Sequence, residues 1–369
     1  MEKEANGNTP MLHVIADRKV NLASLIPENA IDAEIRIESL KGWKKDEQIG
    51  YGAYGEVYRY VTPMAGMKFA AGKHLKVNLW NKTGKQKEDI KARVTIFLEE
   101  LNLMHKISNK CCDRLVQVIG CYVNSKKLII FTELMINGSI KDHIIDEPLD
   151  EATALKYTFQ AAQGLHFLHH YPECRIVHRD IKCDNLLLTQ QWNVKLADFG
   201  LAYNNLAVDS ESYTMSQSAP SDCAGTPIFA APEVLIGAKY GRRADIWSLG
   251  CTLVEMLTTA PPHADFWQRH SERAKFLFLE QARAEPSHQL QYVGHQLVPN
   301  ASVNAQKLLD CLFIKNKQYR PRSEDVLNVF EENPSAPTTL VRINVANLDE
   351  LQRRINEEEK YYNAYKALG

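Results

Sequence analysis

Residues 176–201 read IVHRDIKCDNLLLTQQWNVKLADFGL, and this stretch decides the fold of the chain. Asp180 and Asn185 precede the short apolar run LLL, and Asp198 follows a second one, VKL; such runs are typical of strands. Short apolar strands of this kind can hold polar side chains at the lip of a cleft. Mg²⁺ prefers oxygen ligands and binds through one or two protein groups together with substrate phosphates. The stretch therefore predicts a site for phosphoryl transfer.

Bulk composition narrows the class of protein. The chain has 369 residues, enough for one large domain or two moderate ones with a sizeable core. Its formal net charge of -1 gives no sign of a strongly charged surface, so we expect no nucleic-acid partner. No apolar run approaches the roughly 20 residues of a membrane-spanning helix. The eight cysteines contain no CxxC pair, and together these features predict a reduced, cytoplasmic protein without a membrane span.

The opening stretch resembles the catalytic core of the eukaryotic protein kinases. His178-Arg179-Asp180, then Asn185, then Asp198-Phe199-Gly200 match the catalytic-loop and metal-binding motifs of that family in order and spacing. The resemblance implies ATP and Mg²⁺ as cofactors. It also implies an α+β, bilobal fold, with a small lobe of antiparallel β-sheet plus one helix, αC, and a larger, mainly α-helical lobe.

The resemblance also divides the chain into three parts. It covers the chain from Trp43 to about Phe330, so we expect a protein kinase domain over residues 43–331. An N-terminal extension then occupies 1–42, and a C-terminal tail occupies 332–369. The extension reads as a packed strand, a partner-binding segment or a partly ordered tail, and its sequence assigns it no function.

A glycine-rich turn lies near the start of the kinase-like region. Residues 49–58, IGYGAYGEVY, place glycines inside an alternating pattern that predicts a hairpin. Glycine lets backbone N–H groups approach phosphate oxygens closely. A dinucleotide site is the alternative, but it requires a helix directly after the glycines, and here a strand-like run follows. The resemblance assigns nucleotide contacts in this turn to Ile49, Gly50, Gly52, Gly55 and Val57.

Residues 69–73, FAAGK, resemble the kinase strand whose lysine grips the α and β phosphates. Lys73 takes that role, and Ala71 lies beside the nucleotide. Gly72 stands where the family usually has a β-branched residue. Because glycine weakens a strand interior, this departure predicts a less rigid strand.

Apolar residues at helical spacing predict a helix over 88–107. It resembles αC, whose glutamate pairs with the strand lysine and holds it on the phosphates. Glu99 and Glu100 compete for this role, and the run Glu-Leu-Asn-Leu-Met favours Glu100.

Residues 127–131 predict a buried strand, after which the resemblance places the hinge of the kinase. There the backbone groups of Glu133 and Met135 would hydrogen-bond adenine, and Thr132 would leave a back pocket open. Leu187 completes the predicted nucleotide-binding set.

The resemblance gives each polar residue of the catalytic region a task. Asp198 and Asn185 would bind Mg²⁺, and Asp180 would orient the incoming hydroxyl and accept its proton late. Lys182 would reach the γ-phosphate. Lys182 and Thr226 together indicate a serine/threonine kinase, and the predicted catalytic set is Asp180, Lys182, Lys73, Asn185 and Thr226.

The segment from Asp198 to Glu233 resembles the kinase activation segment. Its middle, residues 209–222, is polar and rich in hydroxyls. The alternatives are an unstructured loop or a regulatory phosphorylation site whose charge pairs with Arg179. Asp222 is a further hypothesis, as a fixed negative charge in place of a phosphate.

Residues 225–235 and 240–257 look most like the MAP kinase kinase kinase branch, although Cys183 and Asp184 depart from its usual Gly-Ala. The predicted function is therefore a serine/threonine protein kinase acting on a protein, with a MAP kinase kinase as the candidate substrate. A pseudokinase scaffold that binds without transfer, and a serine/threonine kinase outside the MAP kinase cascade, are the alternatives.

Two structural contacts are also implied by the resemblance. Asp245 is expected to cap the backbone of the catalytic loop, and Arg320 is expected to pair with Glu233. After Pro337 a final helix is predicted, capped at Asn347, with a seam that we expect to pack on the domain's own surface rather than to form a coiled-coil dimer. The residues of this seam are Leu348, Leu351, Ile355, Tyr362 and Tyr365.

Overall fold

The computed structural model describes most of the chain. The described residues are 26, 29–52, 55–75, 84–108, 112–124, 127–171, 176–197, 203–204, 226–238, 240–270, 275, 290–333 and 340–367.

An antiparallel sheet of five strands and one long helix form the small lobe. The strands lie side by side in the order β1-β2-β3-β5-β4. The helix, α1, follows β3 and packs against β4, the edge strand. The elements are β1 Lys44–Gly52, β2 Gly55–Val61, β3 Phe69–Leu75, α1 Gly84–Ser108, β4 Val118–Val123 and β5 Leu128–Glu133.

The register of the central strands sorts side chains onto two faces. Lys73 lies opposite Val57 on β2 and opposite Ile130 on β5, and directly opposed residues share a face of the sheet. Alternation along β3 places Ala71 on this same face, opposite Thr132. The sheet thus presents Val57, Ala71 and Lys73 together on the side that α1 partly covers.

The other face of the sheet carries an aromatic cluster. The Phe131 ring lies 4.3 Å from the Trp43 ring and 5.1 Å from the Tyr60 ring, between centroids. Gly72 is buried on this face, where an added Cβ would come within 2.7 Å of the Tyr60 ring and 3.1 Å of the Phe131 ring. The aromatic rings fill the space that a β-branched side chain would take, which accounts for glycine at this position. The expectation of a less rigid strand stays a prediction.

Helices dominate the large lobe, with short strands beside the catalytic stretch. The helices are α2 Ile140–His143, α3 Glu151–His169, α4 Pro232–Leu235, α5 Arg243–Thr258, α6 Ala264–Arg269, α7 Gly294–Leu297, α8 Val303–Leu312, α9 Ser323–Asn328 and α10 Val345–Ala367. The strands are β6 Ile176–Val177, β7 Leu186–Leu188, β8 Val194–Leu196, β9 Tyr203–Asn204, β10 Phe330–Asn333 and β11 Leu340–Ile343. They pair antiparallel as β6 with β9, β7 with β8 and β10 with β11.

Local sequence explains the two central helices. Asp150 caps α3, since its carboxylate accepts a hydrogen bond from the backbone N–H of Thr153. Helix α5 is buried along almost its whole length, as expected for a helix that is apolar on most sides. Both contribute to one continuous core. The predicted α+β architecture, with an antiparallel small lobe and a mainly helical large lobe, is confirmed.

The C-terminal helix packs on the same core. Leu348, Leu351 and Ile355 of α10 are buried there, whereas the side chains of Tyr362 and Tyr365 lie outside the described residues. The cap differs from the expected one at Asn347: the side chain of Asn344 accepts from the Asn347 backbone N–H at 3.1 Å, so the helix begins at residue 345.

None of the helices described above combines the length and hydropathy needed to span a membrane.

Candidate active site

The catalytic stretch is anchored on helix α5 through Asp245. One carboxylate oxygen accepts the backbone N–H of His178 and the other accepts that of Arg179, each at 2.9 Å. Arg179 has a left-handed backbone with φ 70°, which is unfavourable for a side chain of this size. The two hydrogen bonds from this turn to Asp245 hold it in place, so the predicted capping role of Asp245 matches the observed contacts.

A buried histidine supports this anchor. His169 of α3 donates from Nε2 to the Asp245 carboxylate at 2.8 Å, and its Nδ1 lies 3.3 Å from the Ser323 hydroxyl. Burial alone would raise the pKa of Asp245, but the hydrogen bonds from His169 and from the Arg179 backbone help to outweigh it, and the pKa is lowered. Burial lowers the pKa of His169, so the histidine stays neutral and the anchor carries one negative charge.

Three other predicted catalytic residues surround Asp180. Lys182 Nζ lies 3.1 Å from Asp180 Oδ2 and donates to Thr226 Oγ1 at 2.8 Å. Thr226 in turn donates to Asp180 Oδ1 from its hydroxyl at 3.1 Å and its backbone N–H at 3.2 Å. Asn185 donates from Nδ2 to Asp180 Oδ2 at 2.8 Å and to the Asp180 carbonyl at 2.7 Å. Hydrogen bonds on both oxygens fix the plane of the carboxylate.

The segment that carries Thr226 is tied to the lobe by a buried ion pair. Arg320 donates to both oxygens of Glu233, at 2.7 and 2.9 Å, and Glu233 lies in α4 shortly after Thr226. Arg320 also donates to the carbonyl groups of Ile314, Arg243 and Lys315, so its buried guanidinium, 0% exposed, has a hydrogen-bond acceptor for each N–H group. The predicted pairing of Arg320 with Glu233 is present.

The glycine-rich turn belongs to the hairpin of the first two strands. Strands β1 and β2 pair as an antiparallel hairpin, with Gly50 opposite Val57 and Gly52 opposite Gly55. Ile49 is substantially exposed at this end of the hairpin. The hairpin continues into β3, so Val57 lies directly across from Lys73. The predicted glycine-rich turn and the predicted lysine therefore lie on neighbouring strands.

The hinge residues join the two lobes through an apolar floor. Met135, which follows β5, packs with Val116, Ala197 and Leu187. Ala197 directly precedes Asp198, and Leu187 lies on β7. The predicted adenine contacts Met135 and Leu187 are therefore neighbours in space, although 52 residues apart by their numbers.

Sequence reasoning missed one polar contact at this hinge. The carboxylate of Glu133 accepts from Lys195 Nζ at 2.6 Å and from the Gln117 backbone N–H at 2.8 Å. Lys195 belongs to β8 of the large lobe, so this contact links the hinge to the strand that leads to Asp198. Its only sequence signal was a lysine in a buried strand, which by itself indicates no partner.

Some predicted site residues lie outside the described residues. These are Asp198, the side chain of Glu100, and the hydroxyl-rich part of the activation segment including Asp222. Glu99, the competitor of Glu100, is exposed on α1. The roles of Asp198 and Glu100 stay predictions.

Comparisons with known proteins identify similar sequences among the protein kinases. The model of the protein kinase domain family matches residues 43–329. Serine/threonine-protein kinase flr-4 of Caenorhabditis elegans is 34% identical over 296 residues, covering 78% of this chain and 51% of that protein. Human mitogen-activated protein kinase kinase kinase 3 is 32% identical over 321 residues, covering 84% of this chain and 46% of that protein. Mouse mitogen-activated protein kinase kinase kinase 19 is 36% identical over 252 residues, covering 68% and 18%. The chain spans about half the length of the first two relatives and less of the third.

Proposed function

Because the chain belongs to the protein kinase family, we propose that it is an ATP-dependent serine/threonine protein kinase that acts on a protein substrate. The resemblance to this family and to its MAP kinase kinase kinase branch is confirmed by the comparisons. A MAP kinase kinase is the proposed substrate class. The observation that carries the proposal is the convergence of Lys182, Thr226 and Asn185 on the carboxylate of Asp180.

This convergence suits the transfer of a phosphoryl group to an alcohol. In a loose transition state the protein mainly aligns the reactants and neutralises charge. Asp180, fixed on both oxygens, would orient the substrate hydroxyl and accept its proton as the new bond forms. Lys182, at 3.1 Å from that carboxylate, would stabilise the negative charge on the transferred group.

ATP supplies the γ-phosphoryl group, and Mg²⁺ neutralises the charge of the phosphates. The described residues fit these groups. Asn185 uses its amide nitrogen on Asp180, which leaves its carbonyl oxygen as the atom to bind Mg²⁺ with Asp198. Lys73 lies on the cleft face of β3 and would contact the α and β phosphates, paired with Glu100.

The residues proposed to bind adenine also lie near one another. Met135 and Leu187 form an apolar floor with Ala197, and the backbone of Glu133 and Met135 would hydrogen-bond the base. Ile49 and Val57 would cover the nucleotide from the hairpin, and the small side chains of Ala71 and Thr132 lie on the same sheet face. Gly50, Gly52 and Gly55 would direct backbone N–H groups toward phosphate.

Preference for serine and threonine rests on Lys182 and Thr226. Their 2.8 Å hydrogen bond joins the catalytic loop to the segment that precedes α4. A serine or threonine hydroxyl lies close to the substrate backbone, so the segment that carries Thr226 would hold that backbone near Asp180, whereas a phenol would place its oxygen farther from the substrate backbone. Phosphoamino-acid analysis of the product checks this preference.

The test is phosphoryl transfer with a matched pair of variants. The purified chain is incubated with Mg²⁺, γ-labelled ATP and MAP kinase kinases that carry their own inactivating substitutions. We expect Asp180→Asn to lower kcat by about 10²–10⁴-fold, the range for loss of a general base. Asp184→Asn makes the same chemical change at an exposed residue of the same loop and is expected to leave kcat within about twofold.

Each outcome separates the alternatives. Transfer to a MAP kinase kinase that disappears in Asp180→Asn supports the proposal in full. Transfer only to unrelated proteins supports a serine/threonine kinase outside the MAP kinase cascade. ATP binding without transfer, unchanged by Asp180→Asn, supports the scaffold and overturns the proposal.

A further inference from the structure

A segment that precedes the matched domain is built into the small lobe. Residues 29–40, the N-terminal segment, lie against helix α1 and strand β4. Ala30, Ile31 and Ile35 are 9%, 5% and 1% exposed, and they share one apolar cluster with Leu98 and Leu101 of α1. Burial of this degree marks the segment as part of the core, and not as a loosely attached tail.

The segment holds α1 through one polar side chain. Asn102 donates from Nδ2 to the Ala30 carbonyl and accepts the Asp32 backbone N–H on Oδ1, both at 3.0 Å. One amide therefore satisfies two backbone groups of the segment, much as a neighbouring strand would. Asn102 follows Glu100 by two residues, which turns it about 200° around the helix. The segment thus grips α1 from the side opposite to Glu100.

The same segment is fixed to the sheet. The Ile37 N–H donates to the Cys121 carbonyl at 2.9 Å, and the Cys121 N–H donates to the Ile35 carbonyl at 2.6 Å. Gly120 lies under this contact, where an added Cβ would lie 2.9 Å from the Ile35 carbonyl oxygen and 2.8 Å from Ile37 Cδ1. Its three nearest atoms all belong to the segment, so a glycine at 120 is required for this close approach.

Two peripheral ion pairs complete the contact. Lys106 of α1 lies 3.2 Å from Asp32, and His105 lies 3.7 Å from Glu34, whose side chain is 82% exposed. Exposed pairs of this kind contribute little. The apolar side chains, the Asn102 amide and the backbone bonds to Cys121 therefore carry the contact.

We propose that residues 29–37 position α1, and through it Glu100 relative to Lys73, with Asn102 as the positioning residue. The segment joins α1 to the edge of the sheet that carries Lys73, so its loss frees the helix to shift relative to that lysine. This inference rests on the proposed function, because the pairing of Lys73 with Glu100 matters only if the nucleotide binds there. It also places the start of the working catalytic unit near residue 29 and not at Trp43.

The test compares two ways of destabilising the full chain. Gly120→Ala and Asn102→Ala each weaken the docking of the N-terminal segment without touching the predicted nucleotide site. Leu351→Ala, in α10, removes a buried aliphatic side chain from the large lobe and serves as the matched control. Steady-state kinetics with varied ATP and hydrogen exchange of the α1 backbone amides are measured for all three, below the unfolding temperature of each.

We expect Gly120→Ala to raise the KM for ATP by about tenfold and Asn102→Ala by about threefold, with faster exchange in α1. Leu351→Ala is expected to lower the unfolding temperature while leaving both readouts unchanged. Lys106→Ala, which removes only an exposed pair, is expected to match the unaltered chain.

Two results overturn the proposal. One is a drop in stability in Gly120→Ala and Asn102→Ala with an unchanged KM for ATP, because the segment would then be only structural. The other is unchanged exchange protection of α1, a readout that needs no catalysis. An unaltered chain that transfers no phosphate refutes the proposed function, and in that case the exchange comparison alone decides the positioning role. If Gly120→Ala does not fold, Asn102→Ala keeps the test decisive.

Discussion

In the large lobe the loop around Asp180 is held by buried ionised groups, whereas in the small lobe α1 and the strands around Lys73 are held by apolar packing. Asp245 binds the loop backbone directly, and Arg320 with Glu233 fixes the segment beside it. In the small lobe, Ile35 and the aromatic cluster around Phe131 do the corresponding work. A buried charge left without its partner is severely destabilising, but the cost of altered packing scales with the volume changed. Asp180, the proposed catalytic base, is therefore held in one position, while the packing around Lys73 can be adjusted in small steps.

The largest effect is expected when the buried ion pair of the large lobe is removed. Arg320→Met leaves Glu233 buried at 7% exposure without its cation and is expected to lower the free energy of unfolding by about 3–5 kcal/mol. Urea unfolding of the variant measures this loss. Adding Glu233→Gln to the same chain removes the unpaired charge and is expected to recover part of it. A loss below about 1 kcal/mol would mean that the pair behaves like an exposed one.

An intermediate effect is expected when the apolar packing of the small lobe is altered. Gly72→Val places a side chain against the Tyr60 and Phe131 rings and is expected to lower the free energy of unfolding by about 1–3 kcal/mol. Tyr60→Leu makes room for it, so a double-mutant cycle should give a favourable coupling between the two changes. Additive effects would show that the Tyr60 ring does not account for the glycine at 72.

The smallest effect is expected in the pH dependence of stability, which depends on the buried His169 beside Asp245. Burial lowers the pKa of His169, so the unfolded chain takes up a proton at this residue at a pH where the native chain does not. Stability should therefore fall as the pH drops below about 6.5, by at most about 1.4 kcal/mol per pH unit for one proton. The pKa of Asp245 is lowered from a value near 3.8, so its contribution is lost only in more acidic solution.

Denaturant unfolding between pH 7.5 and 5.5 measures this dependence. His169→Gln retains a donor for Asp245 but cannot titrate, so its stability should vary less with pH. Burial also lowers the pKa values of His74, His166 and His263, and these residues leave a residual slope. An unchanged slope in His169→Gln would assign the whole dependence to them.

The sequence was sufficient for the catalytic loop because its chemistry is local. Asp180, Lys182 and Asn185 lie within six residues of one another, between strands that follow directly from their apolar runs. Thr226 and Arg320 lie far along the chain, and only the family resemblance placed Thr226 with Lys182 in the catalytic set and paired Arg320 with Glu233. Their contacts in the structure match those assignments, because buried polar groups with several hydrogen bonds tolerate few alternative arrangements.

The N-terminal segment was not predictable in the same way. It shows neither a helical nor a strand period, and its buried residues, Ile31 and Ile35, find partners on α1 and β4 about 70 to 90 residues away. Nothing in the sequence marks Asn102, within the predicted helix over 88–107, or Gly120 as a contact of this segment. The meaning of both depends on a neighbour that only the tertiary structure supplies.

Gly72 shows how the role of a glycine depends on its spatial neighbours. Judged alone it indicated a weak strand, because propensity refers to an isolated chain. The space available to a side chain at position 72 is limited by the Tyr60 ring on the neighbouring strand. A sequence pattern does not show which two residues make this contact.

The docking of residues 35–37 on β4 also bears on how the protein behaves when shortened. β4 is the last strand of its sheet, and its outward N–H and C=O groups at Cys121 are already bonded to the chain itself. A fragment cut at residue 42 would expose this edge, and an open edge is a template for pairing with other molecules. Such a fragment should precipitate or self-associate although every residue of its active site is intact.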